Sequence, residues 1–152
     1  MDLSIIVVSY QNKGLLERCL QSVLDHLVGV LEFEVWVVDN ASTDGTVPWL
    51  TAFAAKNPQI RPLFNSENRG FSGGNNPALR VCQGEYVLLL NSDALLIDTS
   101  VLEGMAFLKN RPGAFGCAAL LLNPDGSSGV SYGHFPGLRT LARELMQARF
   151  GR

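Results

Sequence analysis

The sequence predicts an α/β fold, a mostly parallel, doubly wound sheet flanked by helices. Three observations carry that prediction. Short runs rich in β-branched and apolar residues recur at Leu3–Ser9, 33–38, Ile60–Phe64 and 86–90. The stretches between them show helical periodicity or helix-start signals, which implies right-handed βαβ units. The runs at 3–9, 33–38 and 86–90 stop on small polar residues, where open α/β sheets hold their ligands.

Each element follows from its residues. Leu3–Ser9 reads Leu-Ser-Ile-Ile-Val-Val-Ser, a β-branched run suited to a buried strand. Tyr10-Gln11-Asn12 forms a loop, with Asn12 placed to cap the next helix. That helix sets Leu15, Leu16, Cys19, Leu20, Val23, Leu24 and Leu27 on one stripe, opposite Glu17, Arg18, Gln21 and Asp25. Residues 33–38 form a second strand ending at Asp39-Asn40-Ala41-Ser42-Thr43-Asp44-Gly45, a cluster of turn and cap residues. A helix over 47–55 tolerates Pro48 in its first turn. Ile60–Phe64 is a weaker strand, and Pro62 assigns it to a sheet edge.

The segment 65–76 is rich in glycine and asparagine, and Pro77 predicts a helix starting near Asn75 or Asn76 and running to Cys82. Five apolar residues at 86–90 lack polar alternation and predict a strand buried on both faces, in the middle of the sheet. Ser100 with Glu103 matches a capping box, and Val101, Leu102, Met105, Ala106 and Leu108 give that helix an apolar face. Residues 114–122 predict a further strand, and Asn123-Pro124-Asp125-Gly126 a turn. The tail at 136–152 predicts an amphipathic helix packed on the sheet or on a second copy. Glu144 and the short length favour that packing over a membrane-surface helix.

Composition narrows the function. A net charge of −2 carries no footprint for nucleic acid. No apolar run reaches the span of a bilayer, and Met1-Asp2-Leu3 lacks the basic start of a secretory signal. Cys19, Cys82 and Cys117 are scattered among apolar neighbours and read as buried small hydrophobes in a reducing cytoplasm.

The chemistry-bearing residues gather at strand ends. Doubly wound topology brings the ends of the first, second and fourth strands to one crevice. Tyr10 and Asn12, Asp39 and Asn40, and Asn91-Ser92-Asp93 would then surround one ligand, with the loop from Asn68 to Asn76 closing the fourth side. Asp39 can accept from a ribose hydroxyl or a base N–H, or can serve as an Asx-turn residue for Ser42 and Thr43. Asp93 can coordinate Mg²⁺ or Mn²⁺, hard cations that take one or two carboxylates with phosphate and water, or can cap the following loop. Arg69 can pair with a diphosphate or stand exposed. His26 and His134 have no partner pattern. No dinucleotide fingerprint, phosphate loop or serine elbow occurs.

Four ordered segments complete the reading: Ser-Ile-Ile-Val-Val-Ser-Tyr-Gln-Asn, Val-Val-Asp-Asn-Ala-Ser-Thr-Asp-Gly-Thr, Asn-Arg-Gly-Phe-Ser-Gly-Gly-Asn-Asn and Leu-Leu-Leu-Asn-Ser-Asp-Ala. Together they resemble the family 2 glycosyltransferases of the GT-A fold, in particular the rhamnosyltransferase-like branch of bacterial surface polysaccharide synthesis. The later Leu-Leu-Asn-Pro-Asp-Gly-Ser and Phe135-Pro136 also resemble that branch. The resemblance implies a nucleotide-sugar-binding domain over 1–135, a UDP-sugar or dTDP-sugar donor, and a glycan or lipid-linked acceptor. It implies that Ser9 and Tyr10 line the base and that Asp39 meets its N3–H. Asn68 and Gly70 would belong to the loop beside the nucleotide, with Asn75 or Asn76 following; Arg69, Asn12, Asn40, Asn91 and Ser92 are the further nucleotide-side candidates at the strand ends. Asn91-Ser92-Asp93 matches the metal-binding Asp-X-Asp position, with asparagine in place of the first aspartate.

The same resemblance implies an inverting transfer whose general base lies in an acceptor-binding part, beyond the matched region and expected to be absent from these 152 residues. The catalytic base is therefore unassigned, and the rival reading is a non-catalytic nucleotide-sugar-binding or scaffold module. A sugar-nucleotide pyrophosphorylase ranks lower, because Ser9-Tyr10-Gln11-Asn12 is not the glycine-rich basic loop those enzymes carry. The expected location is cytoplasmic, with the tail a candidate for contact with the inner membrane face, and a homo-oligomer stays open.

Overall fold

Val, Ile and Leu dominate the two strands at the centre of the sheet, which suits strands covered on both faces. A computed structural model describes residues 1–129 of the chain, which divides into two units, Met1–Thr99 and Ser100–Arg152. In the first unit four strands, β1 (Leu3–Ser9), β2 (Phe33–Asp39), β3 (Ile60–Phe64) and β4 (Tyr86–Asn91), form one parallel sheet in the order β3-β2-β1-β4. Helices α1 (Lys13–Leu27), α2 (Thr46–Lys56) and α3 (Gly70–Leu79) connect them. The α/β, doubly wound prediction holds. The chain steps outward from β1 to β3, then returns across the sheet to β4. Right-handed crossovers therefore put α1 and α2 on one face and α3 on the other.

The packing agrees with that rule. Ile6, Val38 and Ala78 form a buried cluster with Val8, Trp36 and Leu63 around it, on the face that α3 covers. On α1 the stripe Leu16, Cys19, Leu20, Val23, Leu24 and Leu27 is buried, while Leu15 at its start is exposed. Pro62 sits on β3 opposite Val37 at the sheet edge, as its missing N–H requires.

Four expectations are corrected. Among the described residues β4 is an edge strand, not a central one, and its exposure alternates. Val87 and Leu89 are exposed, on the face where α3 packs on β1 and β2. Helix α3 starts at Gly70, five residues earlier than Pro77 implied, and Pro77 falls in its last turn. Among the described residues, 114–122 in the second unit form no ladder beyond an isolated bridge of Leu122 with Ser128. Cys117 is exposed rather than buried, and Cys82 is partly so.

The second unit carries α4 (Val101–Lys109), which begins without a side-chain cap and buries none of its apolar residues. The expected turn is formed there, with Gly126 N–H donating to the Asn123 carbonyl at 2.9 Å and Gly126 at φ 81°. The expected tail helix at 136–152, His134 and Phe135-Pro136 lie outside the described residues.

A buried polar network fastens the end of the sheet where the strands begin. Glu34 is fully buried, and its Oε1 accepts from the Ser4 hydroxyl at 2.6 Å and from Gln83 N–H at 2.7 Å. Its Oε2 faces Arg61 Nη1 at 2.9 Å, and that guanidinium lies over the Trp36 ring. Ser4 Oγ in turn accepts from Gly84 N–H at 2.8 Å. Gly84 must be glycine, since a Cβ there would lie 2.3 Å from the Ser4 nitrogen. Burial pushes the Glu34 carboxyl up, but the Ser4, Gln83 and Arg61 contacts together outweigh it and hold the group below its ordinary value of 4.5.

A depressed folded value means that this carboxylate stabilises the fold above its unfolded pKa and stops doing so as pH falls through the folded one. Thermal melts from pH 7 down to pH 3 should therefore show wild type losing stability below about pH 4.5. Glu34→Gln should melt lower at pH 7, by roughly 2 to 4 kcal/mol of stability, with a flatter acid limb.

Candidate functional site

Register places the strand ends side by side. Ser9 is level with Asp39, and Val8 with Asn91, so β1 lies between the ends of β2 and β4. Two strand spacings put the ends of β2 and β4 about 10 Å apart. The order reverses at β1, the position where open sheets take ligands.

Asp39 is 1% exposed and serves two ends. Its Oδ2 accepts from Ser42 N–H at 2.9 Å, the Asx-turn that the local sequence also allowed. Its Oδ1 is buried with no hydrogen-bond partner among the described residues. A buried acceptor left bare costs about 1 to 3 kcal/mol, more when charged, so this oxygen calls for a donor. Asn75 on α3 holds a second such acceptor. Its amide nitrogen donates to the Phe71 carbonyl at 2.8 Å, while its Oδ1 is buried and unpartnered.

The loops after β1 and β2 are fastened to each other by a residue that the sequence did not single out. Gln11 adopts φ 54° and its N–H donates to Ser42 Oγ at 3.0 Å. Its side-chain amide donates to Thr43 Oγ1 and accepts from Thr43 N–H, at 2.9 and 3.2 Å. Ala41 is also left-handed, at φ 65°, so both loops carry backbone strain. Asp44 caps two helices at once, accepting from Thr46 N–H and Oγ1 and from Lys13 N–H. The Thr46 hydroxyl first, then the Lys13 amide, hold its carboxyl below the ordinary range. The Asp-Gly-Thr stretch was a legible cap for α2; no local signal pointed Asp44 at α1.

The remaining residues divide by what their side chains hold. Asn40 is 2% exposed and spends its amide inside the protein, donating to the Gly70 carbonyl at 3.1 Å and accepting from Asn65 at 2.8 Å. Asn12 accepts from the Ser9 hydroxyl at 2.5 Å and donates to Ser92 Oγ at 2.6 Å. Gly70, at φ 66°, receives Asn68 Oδ1 on its N–H. Arg69 is exposed and pairs with exposed Glu67 at 3.3 Å, a contact of little energy. Tyr10, Asn91 and Asp93 are exposed. His26 bonds only the Ser22 carbonyl of its own helix, at 2.9 Å. A shallow depression of about 560 Å³ lies beside these residues over the start of α1, lined by Gln11, Asn12, Lys13, Arg18 and Asp44; the unpartnered oxygens are not in it.

No group of three or more His, Cys, Asp or Glu converges among the described residues. The donor set at the end of β4 is the exposed Asp93 carboxylate beside Asn91. That set fits a hard divalent cation whose other ligands are phosphate oxygens and water, and does not fit an all-protein cage. Among the described residues no helix is long and apolar enough to cross a membrane.

Comparison with known proteins gives a consistent result. Residues 4–145 match the family model described as "Glycosyl transferase family 2". A poly(ribitol-phosphate) beta-glucosyltransferase of Bacillus spizizenii is 27% identical over 110 residues, 72% of this chain and 17% of that one. The structure of S. aureus TarS 1–349 aligns with a TM-score of 0.64 and 28% identity over 74% of this chain and 33% of that one. TarS has also been solved with UDP-GlcNAc and with UDP. A Pyrobaculum calidifontis mannosyltransferase in complex with GDP-Man and Mn²⁺ aligns with a TM-score of 0.60 and 32% identity, over 66% of this chain and 30% of that one. The chain thus spans a third or less of the length of each of these three proteins.

Close packing of α3 is what shapes the glycine-rich side of the site. A Cβ on Gly74 would lie 2.6 Å from Val8 Cγ1 and 3.1 Å from Asn40 Nδ2. Gly74→Ala should lower stability by about 1 to 3 kcal/mol in urea melts, through overpacking at this contact. An unchanged midpoint would mean that α3 is not pressed on β1 in solution.

Proposed function

The chain belongs to glycosyl transferase family 2, and on that premise we propose that it is the donor-binding part of an inverting, nucleotide-sugar-dependent glycosyltransferase of bacterial polysaccharide synthesis. The observation that carries this reading is the unpartnered, buried Oδ1 of Asp39 at the switch point of the sheet. The N3–H of uracil or thymine is the donor it lacks, and a charged acceptor makes that bond a strong one. The proposed donor is a UDP-sugar or dTDP-sugar, with Ser9 and Tyr10 beside the base. Asn68, Arg69, Gly70 and Asn75 form the loop side, where Asn75 Oδ1 is the second acceptor in need of a donor. The Asn91-Ser92-Asp93 and Asn123-Pro124-Asp125-Gly126-Ser127 segments support the rhamnosyltransferase-like branch.

In the proposed reaction an acceptor hydroxyl oxygen bonds to the anomeric carbon from the face opposite the diphosphate. The carbon–phosphate-oxygen bond breaks, its electron pair leaves with the diphosphate, and the configuration inverts. A general base takes the hydroxyl proton. Asp39 holds the base end of the donor, which aligns the sugar for attack. Asp93 is the residue proposed to hold Mg²⁺ or Mn²⁺. When bound, that ion supplies neutralisation of the charge that collects on the leaving diphosphate. The structures of TarS with UDP-GlcNAc and of the mannosyltransferase with GDP-Man and Mn²⁺ support a nucleotide-sugar donor and a divalent cation in general.

Calorimetry with UDP, dTDP and GDP, each with and without Mn²⁺, tests the reading. A pyrimidine diphosphate should bind, and more tightly with Mn²⁺; binding of none of the three would count against donor binding. Asp93→Ala should abolish the Mn²⁺ enhancement and leave the affinity in EDTA unchanged. Asp39→Asn can keep the Ser42 contact while presenting an N–H₂ to the base. It should weaken UDP about 10- to 100-fold without lowering the melting temperature, since a neutral amide replaces a buried carboxylate whose Oδ1 is already unpartnered.

A further inference from the structure

The ladder between β1 and β4 ends at Val8 and Asn91. Beyond that pair the two strand ends are joined by side chains alone. The Ser9 hydroxyl donates to Asn12 Oδ1, and Asn12 Nδ2 donates to Ser92 Oγ, at 2.5 and 2.6 Å. Ser9 is 1% and Ser92 8% exposed, so water competes little for either bond. Ser92 is the middle residue of the turn that carries Asp93, closed by Ala94 N–H on the Asn91 carbonyl at 3.0 Å. The buried Cys19 thiol reaches the same carbonyl at 3.6 Å. Burial first, then the nearby Asp93 charge, push that thiol up to about 12, so it stays protonated and can only donate.

Asn12 also stands at the N-cap position of α1 yet makes no cap bond with its side chain. The first amide of α1, Lys13 N–H, is taken by Asp44 from the loop after β2. An asparagine relieved of its usual cap duty, with both ends of its amide engaged between β1 and β4, has the link itself as its task. Both ends of the amide are thus engaged within the protein.

We infer that Asn12 is a positioning residue: through Ser92 it fixes the turn bearing Asp93, and so sets the affinity of this site for a divalent cation without touching the nucleotide. The inference rests on the donor-binding reading above and assigns a role which that reading leaves open. Groups that orient a metal ligand typically change metal affinity about 10- to 100-fold when removed.

The test uses UDP and Mn²⁺ as probes on the full chain, read by calorimetry and by the electron paramagnetic resonance signal of free Mn²⁺. Asn12→Ala and Ser92→Ala should each reduce Mn²⁺ uptake in the presence of UDP about 10-fold, a larger factor than either changes UDP affinity in EDTA. The double variant should be no worse than the weaker single one, and Ser92→Thr, which keeps the hydroxyl, should retain uptake. Ser92→Cys, similar in size and a poor acceptor, replaces Ser92→Ala should that variant fail to fold. Equal weakening with and without Mn²⁺ would place Asn12 on the nucleotide and overturn the inference, as would additive losses or unchanged uptake. Wild type that binds UDP with no gain from Mn²⁺ would overturn the inference and leave base recognition by Asp39 standing. Wild type that binds no UDP would overturn the donor-binding reading together with it.

Discussion

The arrangement depends on one constraint, the register of β1 between β2 and β4. Parallel pairing of Ser9 with Asp39 and of Val8 with Asn91 brings three loops, distant in sequence, to one line. A shift of one residue in either ladder would turn Asp39 or Asn91 to the opposite face of the sheet. The β-branched residues of β1 and β2 hold the register, because their alternate side chains fill two different layers, α1 and α2 on one side and α3 on the other.

Both ends of the sheet bury polar atoms, and what sets the far end apart is the strained backbone beside them. Where the strands begin, Glu34 finds Ser4 and Gln83 through Oε1 and an ion pair with Arg61 through Oε2, and Ser4 finds Gly84, while Trp36 Nε1 stays buried without a hydrogen-bond partner. Where they end, Asp39 and Asn75 each keep a buried oxygen without a donor, and Gln11 and Ala41 sit in left-handed backbone. A fold tolerates bare acceptors and strain at one place when something else completes it there. The end with the strained loops is the one proposed above to take the donor.

Much of this was legible in the residues, and what was not has identifiable causes. β1, β3 and the edge placement of β3 followed from β-branched content and from Pro62. The start of α3 was misplaced because Pro77 obeys a preference for first turns that packing overrode: Gly70 to Gly74 are helical so that the chain can lie against Val8 and Asn40. β4 was read as central because five apolar residues look alike whether or not a neighbour covers them; Val87 and Leu89 are in fact exposed. At the site, composition pointed to the strand ends, since small polar residues after apolar runs can be seen locally. That Asn12 and Asn40 are spent internally depends on partners up to 80 residues away in the chain. No window along the sequence contains them.

The central claim is that the free oxygen of Asp39 takes a base N–H, and a change in the ligand tests it more directly than a change in the protein. N3-methyl-UDP keeps the ribose, the diphosphate and the ring, and lacks only that hydrogen. The account predicts that it binds at least about 10-fold more weakly than UDP under the same Mn²⁺ concentration, a charge-assisted hydrogen bond being lost and the carboxylate left bare. Equal affinity for UDP and its N3-methyl derivative would contradict the account.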